Sequence, residues 1–333
     1  KFLCFLLMLN KNSSSILFIL FTYSVFCAFQ LGVTWDTFFY YELGKDRLDY
    51  LLSLGNDSSY KRIPHSKYLP GAYSTISAFF AQIFPKKYLV ESLYLFNLTF
   101  SFLSLIGLYK ITKELFNIEI AKITFLICFF NPIFFGHMAA NQNDNILPFA
   151  NIWFFYLLLK YIKNQSFNPS RNKYIILSGL CLGLGLGIRS SFIVTIIPFF
   201  IFLIIDYIHS KSLIKKSFSI KFFIFDTLKV LLISYLFMVL FWPHTHENIL
   251  TMPFILAFEG LSFGFGVPFI MLNGEIFQTN EFPKNYIFIN LLYKLPEFVI
   301  LSFLIFLIHF FKLSNYFDNK ISIFKNKILL IFL

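Results

Sequence analysis

The chain has 333 residues, of which 57% are hydrophobic and 14% are charged, with a mean hydropathy of +0.70 and a net charge of +11. Soluble domains carry roughly 25% charged residues, so this composition excludes a soluble globular protein and predicts a polytopic membrane protein. The basic residues are spread over short loops and are not gathered on one face. The charge therefore indicates membrane topology and excludes nucleic acid as a partner.

Apolar runs long enough to cross a bilayer recur along the chain and predict an all-α protein with about eight transmembrane helices. The predicted spans are Ser14–Val33, Tyr88–Tyr109, Ile118–His137, Ile146–Tyr161, Tyr174–Ile188, Phe192–Ile205, Phe222–Trp242 and Ile287–Phe311. A further run begins at Ile328, and Lys1–Asn12 is a short apolar piece that suits either an interfacial helix or a signal-like segment. We expect one transmembrane domain over residues 1–333, truncated at both ends.

Two longer polar segments, residues 34–87 and 243–286, interrupt the apolar runs. If the N-terminus is cytoplasmic, lysine and arginine greatly outnumber the acids on the inner side and are slightly outnumbered on the outer side. This distribution fits the positive-inside rule and places both polar segments outside. The first contains two amphipathic pieces, around Tyr40–Leu54 and Tyr68–Phe84, which we expect to be helices lying in the interface.

With this orientation the unusual polar side chains collect at the outer helix ends and in the outer loops. They are Asp36, His65, Lys67, Asp144, Arg189, His244, His246, Glu247, Glu275 and Glu281. A transporter more often carries ionisable groups near the bilayer midplane, whereas the spans here are nearly free of charge away from their ends. The pattern favours a reaction site at the outer membrane face.

Each of these residues also has a structural interpretation. Asp36 precedes an amphipathic helix and could be its N-cap. Asp144 lies in an Asn/Asp-rich turn, Ala139–Asn145, and could cap the next helix. Arg189 could extend toward lipid headgroups without any further role. From the residues alone these alternatives stay open.

Two shorter patterns are weak signals. His244-x-His246-Glu247 has the composition of half a metal site, but two histidines two positions apart in a loop are little evidence for a metal. Gly183-x-Gly185-x-Gly187 lies inside an apolar helix, so it predicts close helix packing and not a nucleotide-binding loop.

Taken together, several strings resemble one family, the GT-C superfamily of membrane glycosyltransferases, in particular family 39-type proteins akin to protein O-mannosyltransferases and the lipid A aminoarabinose transferase. The first external loop is similar over Gly32–Thr37, Tyr41–Lys45 and Leu48–Leu51. Further similar strings are Asn131–His137, Asn141–Asp144, Leu184–Arg189, Trp242-Pro243, Asn273–Glu275 and Glu281–Tyr286. The resemblance runs from about Thr34 to Leu304.

Two positions depart from the pattern of this family. The family usually has an acidic pair after the tryptophan, whereas Thr37 follows Asp36 here. The second motif often has lysine before its aspartate, whereas Asn143 takes that place. Both changes remove a charge near the expected site.

The resemblance implies an inverting glycosyltransferase that moves a sugar from a polyprenyl-phosphate donor to an acceptor hydroxyl. Asp36 corresponds to the family's catalytic aspartate and would accept the proton of the hydroxyl, while Asp144 would orient the acceptor or a cation. Arg189 would bind the lipid phosphate, with Lys67, His65 and Glu275 as weaker substrate-binding candidates. No cofactor is certain: a divalent cation is compatible with the superfamily, but no ligand set here specifies one.

The expected partners are the lipid-linked sugar, a lipid, glycan or protein acceptor, and membrane lipids. The expected location is the bacterial inner membrane, with the site facing the periplasm. Two alternatives are a transporter of lipid or polysaccharide and a non-catalytic homologue of the GT-C enzymes.

Overall fold

The computed structural model describes residues 13–165, 168–205, 207, 218–262, 269–278, 281 and 283–310, and this part of the chain is mostly helical. Its first half forms α1 (Ser13–Ala28), α2 (Thr37–Leu52), α3 (Ala72–Gln82), α4 (Leu89–Leu115), α5 (Ile118–Phe129), α6 (Pro132–His137) and α7 (Gln142–Asn164). Its second half forms α8 (Asn168–Leu186), α9 (Ile193–Ile205), α10 (Ile220–Leu240), α11 (Met252–Ser262), β1 (Phe269–Leu272), β2 (Glu275–Gln278), α12 (Tyr286–Lys294) and α13 (Glu297–Phe310). Lys1–Asn12 and the run from Ile328 lie outside the described residues.

By length and composition, three described helices can cross a membrane. They are Lys86–Leu115, Gln142–Asn164 and Ile220–Leu240, and a fourth is counted if the bent pair α12–α13 forms one span. Helices α1, α9 and α11 are apolar but shorter. The all-helical membrane class therefore agrees with the structure, while the count of about eight spans stays a prediction.

Two spans predicted as single helices are broken in the structure, each at an X-Pro step. The span Ile118–His137 divides into α5 and α6 at Asn131, whose side-chain oxygen accepts hydrogen bonds from the backbone N–H groups of Ile133 and Phe134. The span Ile287–Phe311 bends by 114° between α12 and α13, at Pro296. Proline disfavours helical backbone in the residue before it, and at the first break the Asn131 cap also favours a new helix start.

A short β-hairpin, which the sequence analysis did not predict, accompanies the helices. Strands β1 and β2 pair antiparallel, with Leu272 opposite Glu275. The two-residue turn, Asn273-Gly274, has φ angles of 54° and 86°. Positive φ at both central residues is the backbone that an Asn-Gly hairpin turn requires.

Helices α7, α8 and α10 pack side by side, and glycines of α8 make the closest approach. A Cβ atom on Gly183 would lie 2.8 Å from Cβ of Phe237 and 3.0 Å from Cα of Ser234, both on α10. A Cβ atom on Gly187 would lie 2.8 Å from Cβ of Ala72. The predicted role of the glycine run in close helix packing is confirmed.

The loop 53–71 folds around Arg47, which is 1% exposed. Its guanidinium donates to the carbonyl oxygens of Ser66 (3.0 Å) and Leu69 (2.6 Å) and to the hydroxyl of Ser74 (3.0 Å). Burial lowers the pKa of this guanidinium to about 9. The loop is therefore held by one buried cation that satisfies several carbonyl groups at once.

A backbone contact joins the start of α3 to the end of α8. The N–H of Ala72 donates to the carbonyl of Gly187 at 2.8 Å. Because Arg189 lies two residues beyond Gly187, this contact fixes the backbone next to Arg189 relative to α3.

Candidate functional site

The site begins at the exit of α1, where the chain turns into α2. The hydroxyl of Tyr94 on α4 donates to the carbonyl of Gly32 at 2.8 Å and accepts from the N–H of Thr34 at 3.0 Å. Asp36 follows at the N-cap position of α2, but its side chain makes no capping hydrogen bond, and it is exposed. Capping therefore does not account for this carboxylate, which remains available to a ligand.

Threonine hydroxyls connect this turn to the start of α7. The hydroxyl groups of Thr34 and Thr37 lie 2.7 Å apart, and the side-chain amide of Gln142 donates to both, at 3.0 Å and 2.8 Å. Thr37 is only 1% exposed. The residue that replaces the second acid of the family is thus buried in a hydrogen-bond network, where a carboxylate would have to be desolvated.

The stretch before α7 is fixed by buried amides. The side-chain amide of Asn97 donates to the carbonyl of Ala139 at 2.9 Å, and that of Asn145 donates to the carbonyls of His137 and Met138 at 2.7 Å and 2.9 Å. Helix α7 begins at Gln142, four residues before the predicted start, so Asp144 lies in its first turn and not in a loop. A carboxylate there is favoured by the helix dipole.

Asp144 and Arg189 form an ion pair that is open to solvent. One guanidinium nitrogen of Arg189 donates to Asp144 Oδ1 at 2.7 Å, and the two side chains are 53% and 48% exposed. Since both remain open to solvent, either partner can be drawn to a ligand at little energetic cost. Arg189 therefore has a protein partner and does more than extend toward headgroups.

The phenol of Tyr40 lies among these charged groups and was missed by the sequence analysis. Burial raises its pKa; the negative charges of Asp36 and Asp144 raise it further, while Arg189 and a hydrogen bond with the Asn143 side chain lower it. Asp36, Asp144 and Arg189 are thus near enough to this phenol to shift its pKa. The available signal was spacing, because residues four apart share a helix face.

An apolar groove of about 360 Å³ lies next to Arg189. Its lining includes Ser190 and Ser191, which directly follow Arg189 in the chain. The apolar walls come from α9, α10 and α11 and from one buried indole; they include Ile193, Val194, Tyr235, Met238, Trp242 and Phe254. The shape and lining suit an apolar chain whose polar end reaches Arg189.

The weaker substrate-binding candidates lie on the short helix before α3 and on the hairpin. His65 is exposed on the short helix Pro64–Tyr68, and Lys67 on the same helix directs its ammonium to Glu259 at 3.6 Å. The backbone carbonyl of Lys67 accepts from the indole N–H of Trp242 at 2.9 Å, which places this residue beside the groove. Glu275 is exposed on the hairpin.

The sequence His244-x-His246-Glu247 joins the loop after α10 to α2 and to the loop that follows α2. His246 contacts the hydroxyl of Tyr50 at 3.0 Å through Nδ1, and Glu247 pairs with Lys61 at 2.9 Å. His244 packs edge-on against Tyr60, with ring centroids 4.8 Å apart. Across the described part of the chain, no three histidine, cysteine or acidic side chains gather into a group that could hold a metal ion.

The chain also matches a known protein family. A family model described as dolichyl-phosphate-mannose-protein mannosyltransferase matches residues 70–244, just over half of the chain. This range contains Asp144, Arg189 and Trp242 and begins after Asp36 and Tyr40. No curated protein and no solved structure matches the chain.

Proposed function

Because this chain belongs to the dolichyl-phosphate-mannose-protein mannosyltransferase family, we propose that it transfers a sugar from a polyprenyl-phosphate donor to an acceptor hydroxyl at the outer membrane face. Membership makes it a membrane glycosyltransferase of the GT-C type. The donor class, the acceptor hydroxyl and the membrane face are the parts of this statement that we propose.

The observation that carries the proposal is the convergence of Asp36, Asp144 and Arg189 around the Tyr40 phenol, beside an apolar groove. Each component has a distinct use. A free carboxylate can accept a proton, a guanidinium can bind phosphate, and an apolar groove can receive a lipid chain.

We assign the proton-accepting role to Asp36. The acceptor oxygen attacks the anomeric carbon as the bond between that carbon and the phosphate oxygen breaks. The hydroxyl proton passes to the Asp36 carboxylate, and polyprenyl phosphate leaves with the electron pair. Direct displacement inverts the anomeric centre, and a positioned general base of this kind typically contributes about 10²–10⁴-fold to the rate.

We assign the phosphate-binding role to Arg189. Its present partner, Asp144, is half exposed and bound through one guanidinium nitrogen. An incoming phosphate can take over the guanidinium through two parallel hydrogen bonds, which single-point contact with Asp144 does not provide. Asp144 is then released to orient the acceptor, so that binding of the donor prepares the acceptor side.

The outer face is proposed from charge. Lys160 and Lys163 lie in the last turns of α7, whereas Asp144 lies in its first turn, so the site and these lysines are at opposite ends of one spanning helix. The positive-inside rule then assigns the lysines to the cytoplasm and the site to the exterior, in a bacterium the periplasm. We keep Lys67 as a candidate for the donor headgroup because it flanks the groove, and His65 and Glu275 stay candidates for substrate binding.

The test is a transfer assay with the purified protein in liposomes, given polyprenyl phosphate carrying a radiolabelled sugar and a mixture of lipid, glycan and peptide acceptors. Label that moves to an acceptor while polyprenyl phosphate accumulates supports the proposal. Label that crosses the bilayer still attached to its lipid would identify a transporter instead. Label that stays on a bound donor would identify a non-catalytic homologue.

A further inference from the structure

Tyr40 is held rigidly within the candidate site. Its ring packs edge-on against Tyr73, with centroids 5.7 Å apart and planes at 85°. Tyr73 is 2% exposed, and its own hydroxyl donates to Asn97 at 3.0 Å. Tyr40 also lies one helical turn after Asp36, since its N–H donates to the Asp36 carbonyl at 3.0 Å. The direction of the phenol is therefore set by packing before any ligand arrives.

The packing of α2 on α7 places this phenol near the ion pair. Thr37, one turn before Tyr40, accepts from the side-chain amide of Gln142 at 2.8 Å, which brings the first turn of α7, with Asn143 and Asp144, beside this part of α2. Asp144 in turn pairs with Arg189 at 2.7 Å. The O–H group of Tyr40 can donate to a ligand bound beside these groups.

The groups around the phenol indicate what it would bind. A second cation placed here would be neutralised by the two carboxylates, as Arg189 already is by Asp144. A phenol remains a donor beside carboxylates, and burial together with the charge of Asp36 raises the pKa of Tyr40, so it stays protonated at neutral pH. It is thus suited to donate to an anion that is also held by Arg189.

We propose that the Tyr40 hydroxyl donates a hydrogen bond to the phosphate of the lipid-linked donor, beside Arg189, with Asn143 orienting the phenol. This inference rests on the proposed function, because it takes the phosphate to be that of the sugar donor. It also gives a role to Asn143, which stands where the second motif of the family often has lysine. In this chain an amide and a phenol together supply a neutral donor where that lysine would have placed a charge.

The experiment measures binding of polyprenyl phosphate, without sugar, to the purified protein in nanodiscs. Three proteins are compared: wild type, Tyr40→Phe, and Tyr41→Phe as the matched control on the same helix. Tyr40→Phe keeps the ring that packs on Tyr73 and removes only the hydroxyl. We expect about 10- to 100-fold weaker binding for Tyr40→Phe, the usual effect of losing a hydrogen bond to a charged group, and no change for Tyr41→Phe.

Polyprenol, which lacks the phosphate, provides the second arm and should bind wild type and Tyr40→Phe equally. Equal binding of polyprenyl phosphate by the two proteins would overturn the inference, as would an equal loss of polyprenol binding in Tyr40→Phe.

The transfer assay separates this inference from the proposed function. If the wild-type protein transfers sugar but Tyr40→Phe binds polyprenyl phosphate as tightly as wild type, only the role of Tyr40 is refuted. A wild-type protein that binds polyprenyl phosphate through Tyr40 but transfers nothing refutes only the enzymatic proposal.

Discussion

Two arginine–aspartate pairs lie in different regions of this molecule and differ in almost every physical respect. At the lysine-rich end of the helices, Arg171 of α8 holds Asp226 of α10 through two nitrogens, at 2.6 Å and 2.9 Å, with exposures of 13% and 2%. At the other end, Arg189 holds Asp144 through one nitrogen at 2.7 Å, with both side chains about half exposed.

The surroundings increase the contrast. Asp226 also accepts from the hydroxyl of Tyr161 at 2.7 Å, so its carboxylate is nearly saturated and α7, α8 and α10 are tied together. The Asp144–Arg189 pair instead lies beside the unused donor of Tyr40, the free carboxylate of Asp36 and the apolar groove. The same two residue types thus form a buried ion pair that ties helices together in one region and an exposed ion pair that a ligand can displace in the other.

The strongest test of this contrast is to remove one partner of the buried pair. Asp226→Ala should lower the free energy of unfolding by about 3–5 kcal/mol, because it leaves the Arg171 guanidinium buried without its carboxylate. Thermal unfolding of the purified protein in detergent measures the loss. The double variant Arg171→Met with Asp226→Leu should recover much of it, since no uncompensated charge remains; stability unchanged in Asp226→Ala would contradict the fastening role.

The outer pair should show the opposite behaviour. Arg189→Ala is expected to change stability by less than about 1 kcal/mol, because the pair is exposed. Sugar transfer should fall by about 10²–10³-fold, as expected when one group that stabilises developing phosphate charge is lost. Unfolding and sugar transfer are measured in parallel for wild type and Arg189→Ala. A variant that is clearly destabilised yet keeps its transfer activity would contradict the phosphate-binding role of Arg189.

The link between the outer site and α7 can be tested at Thr37. Thr37→Val keeps the shape of the side chain but removes the oxygen that accepts from Gln142, so we expect a loss of about 1–3 kcal/mol in stability together with reduced transfer. Thr124→Val is the control, because that exposed hydroxyl bonds only to the carbonyl of Ile120 within its own helix. Equal effects of the two substitutions would show that the threonine network does not position the site.

The junction of the two outer loops gives a smaller, pH-dependent effect. Burial, with the charges of Arg47 and Lys61, lowers the pKa of His244 to about 4, against an ordinary value of 6.5. Between these values the unfolded chain binds a proton that the folded chain does not, so stability is fully present above pH 6.5 and declines as the pH falls toward 4. The partial exposure of the ring reduces the expected contribution to about 1 kcal/mol.

This prediction is measured as the unfolding midpoint between pH 7 and pH 4.5, compared in wild type and His244→Phe. The phenylalanine keeps the edge-on contact with Tyr60 and cannot be protonated, so its midpoint should fall less with acid. If the unfolding midpoints of the two proteins fall equally with acid, His244 does not cause the pH dependence of stability.

The helices were predicted from sequence better than their interruptions. Helices α4, α7 and α10 follow from long apolar runs, since burial or lipid contact along a whole helix leaves a continuous signal. Proline alone does not locate breaks: Pro148 and Pro198 lie inside intact helices, whereas the chain breaks before Pro132, where Asn131 caps the next helix. The hairpin had a recognisable Asn273-Gly274 turn signal that the apolar composition obscured.

The site residues were harder to predict from the sequence than the fold. Asp36, Asp144 and Arg189 were found through motifs and through their position at helix ends. Tyr40 has a local signal in its spacing from Asp36, but its approach to Asp144 and Arg189 arises only when α2 and α7 meet through Thr37 and Gln142. Long-range hydrogen bonds of this kind have no local pattern.

The central claim is that the exposed carboxylate of Asp36 accepts the proton of the incoming hydroxyl, and Asp36→Asn in a single-turnover label-transfer assay tests it most directly. Asp49→Asn, the same change on the same helix, is the matched control. The account predicts that Asp36→Asn binds polyprenyl phosphate as wild type does but transfers sugar about 10²–10⁴-fold more slowly, with Asp49→Asn unaffected. Transfer by Asp36→Asn at the wild-type rate would contradict it.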